Sequence, residues 1–328
     1  MFILSLQEEA LGTPPIQSRQ LENLKLRLNG FGGKKVMNPI GIYEKALPKD
    51  ISWLERLRIA KRLGFDFVEM SIDESDERLD RLDWTSQQKK EFLLAKLETG
   101  ISVPSICLSG HRRFPLGSHD PNLRSHGLTI MQKAIDLAHD LGVRVIQLAG
   151  YDVYYEAKSQ QTRQLFIENL IVSCQWAAEK QIILAIEIMD DTFINSISKY
   201  IKIANKVDSP WLYVYPDLGN LSAWGNDAAE ELRIGKNEIA AIHLKDTVPV
   251  SYKNLGKFKD VPFGQGCVDF IGCFHTLKEI EYNGPFLIEM WSEKSNDYEG
   301  EIRKALDFLI PILKEAGFDY GNKFLQAI

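Results

Sequence analysis

The chain has 328 residues, of which 45% are apolar, 26% charged and 10% aromatic, and 39 Lys and Arg against 45 Asp and Glu give a net charge of −6. So much apolar material supports a full core and excludes a largely disordered chain, and no apolar run reaches the roughly 18–20 residues that a membrane span needs. The acidic balance argues against general nucleic-acid binding, which wants a basic surface, but leaves room for a small anionic substrate.

Residues 1–36 read differently from the rest. Met1–Leu6 is apolar but short, has no basic stretch before it and is followed by Glu8 and Glu9, so it makes a poor signal peptide. Pro14–Pro15 and the Gly30-Phe31-Gly32-Gly33 run break the helix that residues 18–28 would attempt. Gly32-Gly33-Lys34-Lys35-Val36 can be encoded as a bacterial ribosome-binding site at working distance from an ATG for Met37. The expectation is that 1–36 is an extension, either untranslated in the native protein or a disordered or docked arm, and that 37–328 is the (β/α)8 barrel.

From residue 39 one pattern repeats: an apolar run, a turn, a capped amphipathic helix. The predicted strands are Ile40–Glu44, Phe67–Ser71, Val103–Leu108, Val143–Leu148, Ile182–Ile188, Leu212–Asp217, Ile239–Leu244 and Pro285–Met290. Eight Ile-, Val- and Leu-rich runs at βα spacing predict a single (β/α)8 TIM barrel with a short N-terminal extension. A doubly wound open sheet ranks second, because no GxGxxG follows an early strand. Between the strands, Ser52/Glu55 and Thr85/Gln88 have capping-box spacing, Asp120–Pro121 reads as an N-cap with proline at the first helical position, Gly142 and Gly235 sit where helices close, and Pro311 should kink the last helix or mark its start. Cys107, Cys174, Cys267 and Cys273 form no CxxC pair and read as reduced thiols of a cytoplasmic protein.

In such a barrel chemistry sits at the C-terminal ends of the strands. Strands five to eight deliver Glu187, Asp217, His243 and Glu289 there. Carboxylates crowded at the ends of apolar strands repel one another and lose hydration, and a divalent cation relieves both costs. Three carboxylates and an imidazole suit Zn2+, Mn2+, Co2+ or Mg2+. Glu44 and Glu69, ending strands one and two, read as polar mouth residues or substrate contacts.

Several long segments point further. Asn38-Pro-Ile-Gly-Ile-Tyr-Glu-Lys-Ala-Leu, Gly64-Phe-Asp-Phe-Val-Glu-Met-Ser, Cys107-Leu-Ser-Gly-His-Arg-Arg-Phe-Pro-Leu-Gly-Ser, Gln147-Leu-Ala-Gly-Tyr-Asp-Val-Tyr-Tyr, Tyr215-Pro-Asp-Leu-Gly-Asn-Leu-Ser-Ala-Trp and Leu287-Ile-Glu-Met-Trp-Ser-Glu closely resemble the L-ribulose-5-phosphate 3-epimerases of bacterial L-ascorbate utilisation, members of the xylose isomerase-like barrels. The resemblance covers residues 38–318. It implies interconversion of L-xylulose 5-phosphate and L-ribulose 5-phosphate, with Glu187, Asp217, His243 and Glu289 as ligands of one divalent ion, Glu187 and Glu289 also as the acid/base pair, Asn220 as a substrate-hydroxyl contact, and a homodimer as the assembly.

Epimerisation at C3 of a 2-ketose removes a proton beside a carbonyl and returns it to the other face of an enediolate. It therefore needs a Lewis acid and two bases. Three carboxylates and one M2+ leave the site at −1, so the substrate phosphate needs donors of its own. Ser109, His111 and Arg112 after strand three are one candidate set. Backbone N–H groups at Gly264 and Gly266 after strand seven are another. Lys245 is placed to neutralise the enediolate or to act as an ordinary cation at the mouth. The rival readings are an aldose–ketose isomerase of the hexulose-6-phosphate type, which classically uses two metals, and a non-catalytic sugar-phosphate-binding barrel. A nuclease of the endonuclease IV type would need several more metal-ligand histidines and a basic groove, and six histidines in all with a net charge of −6 argue against it.

Overall fold

The computed structural model describes residues 38–321 and 323–324. The expectations for 1–36, and for Met37 as the start, concern residues outside that range. Eight parallel strands are present: β1 Ile40–Tyr43, β2 Phe67–Ile72, β3 Ser105–Leu108, β4 Val145–Ala149, β5 Ile183–Glu187, β6 Leu212–Tyr215, β7 Ile242–Leu244 and β8 Phe286–Ile288. Hydrogen bonding runs in the order β6-β5-β4-β3-β2-β1-β8-β7. The seam between β6 and β7 is narrowed by two isolated parallel bridges, Val214 with Ile239 and Asp217 with His243. His243 N–H donates to Pro216 O at 2.9 Å across it. The result is a nearly closed barrel, as predicted, with shorter strands than the apolar runs suggested.

Helices follow the strands on the outside: α1 Trp53–Arg62, α2 Asp76–Leu79, α3 Ser86–Thr99, α4 Pro121–Leu141, α5 Gln160–Lys180, α6 Ile197–Val207, α7 Leu218–Ala223, α8 Ala228–Ile234, α9 Phe270–Glu279 and α10 Tyr298–Glu315. Ser52 Oγ accepts from Glu55 N–H, Thr85 and Gln88 form a reciprocal capping box, and Asp120 Oδ1 caps α4 ahead of Pro121. Gly142 closes α4 in the left-handed region at φ 66°, where a Cβ is costly. Gly235 likewise closes its helix, α8, but not in the left-handed region. Its φ is −86°, and the residue is small for a packing reason, since a Cβ would lie 2.7 Å from Ile197 Cγ2. Pro311 does not begin a helix but lies within α10, which runs through it to Glu315.

Strand alternation divides the apolar material into two regions. Ile40, Ile42, Val68, Met70, Ile106, Leu108, Ile146, Leu184, Ile186, Val214, Ile242 and Ile288 face outward into one continuous layer beneath the helices. The opposite set faces the barrel axis. Tyr43, Phe67, Cys107 and Leu287 form one small interior cluster, and Ala185, Tyr215 and Ala241 another. The interior also carries fully buried polar groups, Glu69, Ser71, Gln147 and His243. The outer layer supplies the hydrophobic stabilisation and the axis is free to hold chemistry.

Phe286 on β8 ties the outer layer together, with ring centroids 5.8 Å from Phe274, 5.5 Å from Tyr282 and 5.2 Å from Phe318. Phe286→Ala is expected to cost about 3–5 kcal/mol in urea unfolding, and a loss below 1 kcal/mol would show that this layer does not carry the fold.

Candidate metal centre

Each of the four strand-end residues reaches the axis by its own backbone device. Glu187 is the last residue of β5 and is registered against Tyr215 of β6. Pro216 stops β6, since it has no N–H to continue the ladder. Asp217 therefore lies beyond the strand and caps α7, its Oδ1 accepting from Asn220 N–H at 2.6 Å. That leaves Oδ2 for the axis. His243 sits inside β7, directly across the seam from Asp217. Glu289 follows β8, held by its N–H on Leu244 O at 2.9 Å.

Ligand-capable atoms of these four residues lie within 4.8 Å of one another, and all four side chains are buried. His243 turns Nδ1 toward the cluster, 3.0 Å from Glu187, 3.7 Å from Glu289 and 3.9 Å from Asp217. Lys245 Nζ stands 2.9 Å from Glu289 and 3.0 Å from Asp217. Gln147 donates to Glu187 Oε2.

The electrostatics reflect this crowding. Burial, together with Glu289, raises Glu187 above the ordinary carboxylate range. Burial pushes Asp217 up to about 8, against the pull of Lys245. Burial would raise Glu289 too, but Lys245 and His243 outweigh it and hold that group at about 2. Burial works against the charge on His243, yet Glu289, Glu187 and Glu69 hold its proton well above the usual imidazole range.

The donor set fits a divalent ion. Three carboxylates and one imidazole are a mixed oxygen and nitrogen set suited to Zn2+, Mn2+, Co2+ or Mg2+. Asp217 Oδ2 is buried with no hydrogen bond aimed at it, although Lys245 lies nearby, and Gln147 Oε1 and Asn220 Oδ1 beside the cluster are equally unsatisfied. Buried acceptors without donors are costly unless something else completes them.

A small, partly open cavity lies above the cluster. Its wall includes Tyr43, Lys45, Cys107, Ser109, Arg112, Asn220, Lys245, Phe258, Lys259 and Trp291, along with Glu187 and Glu289. Arg112 lies with its guanidinium carbon 5.4 Å from the Tyr151 ring centre and 5.3 Å from that of Tyr154, and its Nε is buried without a partner. Lys259 Nζ rests 5.2 Å from the Trp291 ring centre. Lys45 is paired with Asp73 at 2.5 Å.

The other predicted contacts lie elsewhere. His111 is buried with Nε2 3.0 Å from Gly127 O, in a packing role outside the cavity wall. Gly264 and Gly266 do turn their N–H groups to an anion, but that anion is Asp246 Oδ2, 2.9 Å from each. Thr247 and Val268 N–H complete the ring around the same carboxylate. Glu44 is no mouth residue. It is fully buried and gripped by both Arg81 guanidinium nitrogens at 2.6 and 2.7 Å. Sequence reasoning missed Lys259 and Gln147. The polar Gln147 inside an apolar strand was the one available signal, whereas Lys259 lies in a long loop with no periodicity.

Burial pushes the His111 imidazole down to about 4. A neutral buried histidine binds fewer protons than the unfolded chain below pH 6.5, so its contribution to stability is present above that pH and is lost as pH falls toward 4. The wild type should therefore shed on the order of 3 kcal/mol more than His111→Gln between pH 7 and 4 in denaturant titrations; parallel curves would show that the imidazole is not held neutral.

The sequence profile of the xylose isomerase-like TIM barrel family matches residues 57–312. The putative L-ribulose-5-phosphate 3-epimerase SgbU of Escherichia coli K12 is 57% identical over 279 residues, covering 85% of this chain and 98% of that protein. L-ribulose-5-phosphate 3-epimerase UlaE of Escherichia coli SE11 is 55% identical, covering 85% and 96%. Among solved structures, a D-allulose 3-epimerase from Methylomonas sp. superposes with a TM-score of 0.68 at 20% identity, covering 84% of this chain and 98% of that one, a likeness of fold.

Proposed function

This chain belongs to the L-ribulose-5-phosphate 3-epimerase family of xylose isomerase-like TIM barrels, and from that membership we propose that it interconverts L-xylulose 5-phosphate and L-ribulose 5-phosphate. The observation that carries the reading is the convergence of Glu187, Asp217, His243 and Glu289 on one point beneath a cavity with cations in its wall. These four residues would hold the divalent ion, which when bound would supply Lewis-acid polarisation of the ketose oxygens.

The chain's own groups do the rest. One of the paired glutamates, Glu187 or Glu289, takes the C3 proton, and the other delivers a proton to the opposite face. Lys245, held between Asp217 and Glu289, brings an ammonium to the side where negative charge develops. The unsatisfied Oδ1 of Asn220 accepts from a substrate hydroxyl. With the amides of Gly264 and Gly266 taken by Asp246, the phosphate falls to Arg112 and Lys259, with Ser109 beside them. Both cations rest on aromatic faces, and although Arg112 Nη2 donates to the Tyr151 hydroxyl at 3.5 Å, its buried Nε has no partner and can turn to the dianion.

The aldose–ketose isomerase reading loses ground because one ligand cluster, and not two, is found among the described residues. The binding-only reading gives no role to a second buried glutamate. Among the described residues no helix is long and apolar enough to cross a membrane. The four cysteines are free thiols, which supports the cytoplasm as the place of action. The resemblance to L-ascorbate-utilisation enzymes extends the proposal to a homodimer in that catabolism.

In deuterated water, substrate pentulose 5-phosphate should gain label at C3, and Glu187→Gln or Glu289→Gln should slow this by about 100-fold or more with the barrel still folded. Label at C1 or C2 would indicate the isomerase, and near-normal exchange in either variant would refute the acid/base pair. Arg112→Ala and Lys259→Ala should each raise KM for the phosphorylated sugar about 10-fold or more, as expected for losing a charge-assisted hydrogen bond, with far less effect on the unphosphorylated analogue; equal effects on both sugars would remove them from the phosphate seat.

A further inference from the structure

His243 has two ring nitrogens, and they face opposite ways. Nδ1 faces the carboxylate cluster, 3.0 Å from Glu187. Nε2 faces Glu69, 3.1 Å from its Oε1. Glu69 lies within β2, is completely buried, and was not accounted for by the chemistry above. Its other oxygen accepts from Ser105 Oγ of β3 at 2.6 Å and from the Tyr215 hydroxyl of β6 at 3.2 Å. The Tyr215 ring also packs on the imidazole, with centroids 4.4 Å apart. One carboxylate thus links β2, β3, β6 and β7 under the cluster, and one of its three partners is the cluster's histidine.

A fully buried carboxylate is expensive, and a neutral side chain of the same shape would fill this space at less cost. Its presence calls for a task that needs an acceptor of a particular charge. An imidazole that coordinates a cation through Nδ1 must carry its remaining proton on Nε2. A carboxylate facing Nε2 selects that tautomer, fixes the plane of the ring and makes Nδ1 a better donor. Ser105 and Tyr215 in turn fix the carboxylate.

We propose that Glu69 is the positioning residue of the metal centre: it accepts the Nε2–H of His243 and so presents Nδ1 to the ion. The proposal rests on reading the four-residue cluster as a metal site, and it assigns Glu69 a part in ion affinity with no contact to substrate.

The test is a calorimetric titration of chelator-stripped protein with Mn2+, with circular dichroism as a check on folding. The wild type should take up one equivalent. Folded Glu69→Gln should still take up one equivalent, but with affinity about 10- to 100-fold weaker, the range seen when such outer partners are removed. Ser105→Ala, which loosens Glu69 and keeps its charge, should lose only a few-fold. In Zn2+-loaded wild type, 15N NMR should show a downfield proton on His243 Nε2 that moves upfield in Glu69→Gln. Affinity within twofold of wild type in Glu69→Gln would overturn the role of Glu69 and leave the metal centre standing. A wild type that takes up no ion would overturn the metal centre and this role together. Should Glu69→Gln not fold, the double variant Ser105→Ala, Tyr215→Phe decides the matter: about fivefold weaker binding supports the proposal, and unchanged binding defeats it.

Discussion

Three carboxylates and an imidazole brought out of water to within a few ångströms of one another are the constraint around which the rest of this molecule is arranged. Like charges at that separation repel strongly in a medium less polar than water, and each group loses hydration as well. Lys245 offsets part of that cost on the Asp217 and Glu289 side. Asp217 Oδ2 still has no hydrogen bond aimed at it. A divalent ion is the simplest species that answers the excess of negative charge and the unfilled acceptor positions at once.

The barrel can bear such a cluster because its stabilising layer lies elsewhere. Outward-facing Ile, Val and Leu side chains pack under the helices, while the axis is lined by Glu69, Ser71, Gln147, Tyr215 and His243. The seam between β6 and β7 is part of the same design. Pro216 ends the ladder there, Asp217 caps α7 with Oδ1 while Oδ2 stays in the cluster, and the bridge between Asp217 and His243 sets two ligands side by side. Closure of the fold and assembly of the site are one event at this point.

Much of this was legible in the residues alone. The eight apolar runs located the strands, and reading their C-terminal ends located all four cluster residues, because the barrel's polarity places chemistry at that rim. The limits have physical causes. Apolar runs overstate strand length: Val103 is buried by packing without joining β3, and half-buried Ile239 makes only an isolated bridge to Val214. Glycines at 264 and 266 signalled an anion-binding turn and one is there, but a linear reading could not reveal that Asp246 fills it from within the chain. Glu44 and Glu69 look alike in sequence, each an acid near a strand end. Only the fold separates them, one locked by Arg81 outside the axis and the other set under His243. Lys259 comes from a loop whose course no periodicity describes.

The account stands on a single ion being held by Glu187, Asp217, His243 and Glu289. The most direct measurement is anomalous diffraction at the manganese edge from crystals of the Mn2+-loaded protein. The account predicts one peak at the centre of these four side chains, in coordination contact with His243 Nδ1 and a carboxylate oxygen of each of the other three. A peak anywhere else, or a cluster that remains closed on Lys245 in fully loaded crystals, would contradict it.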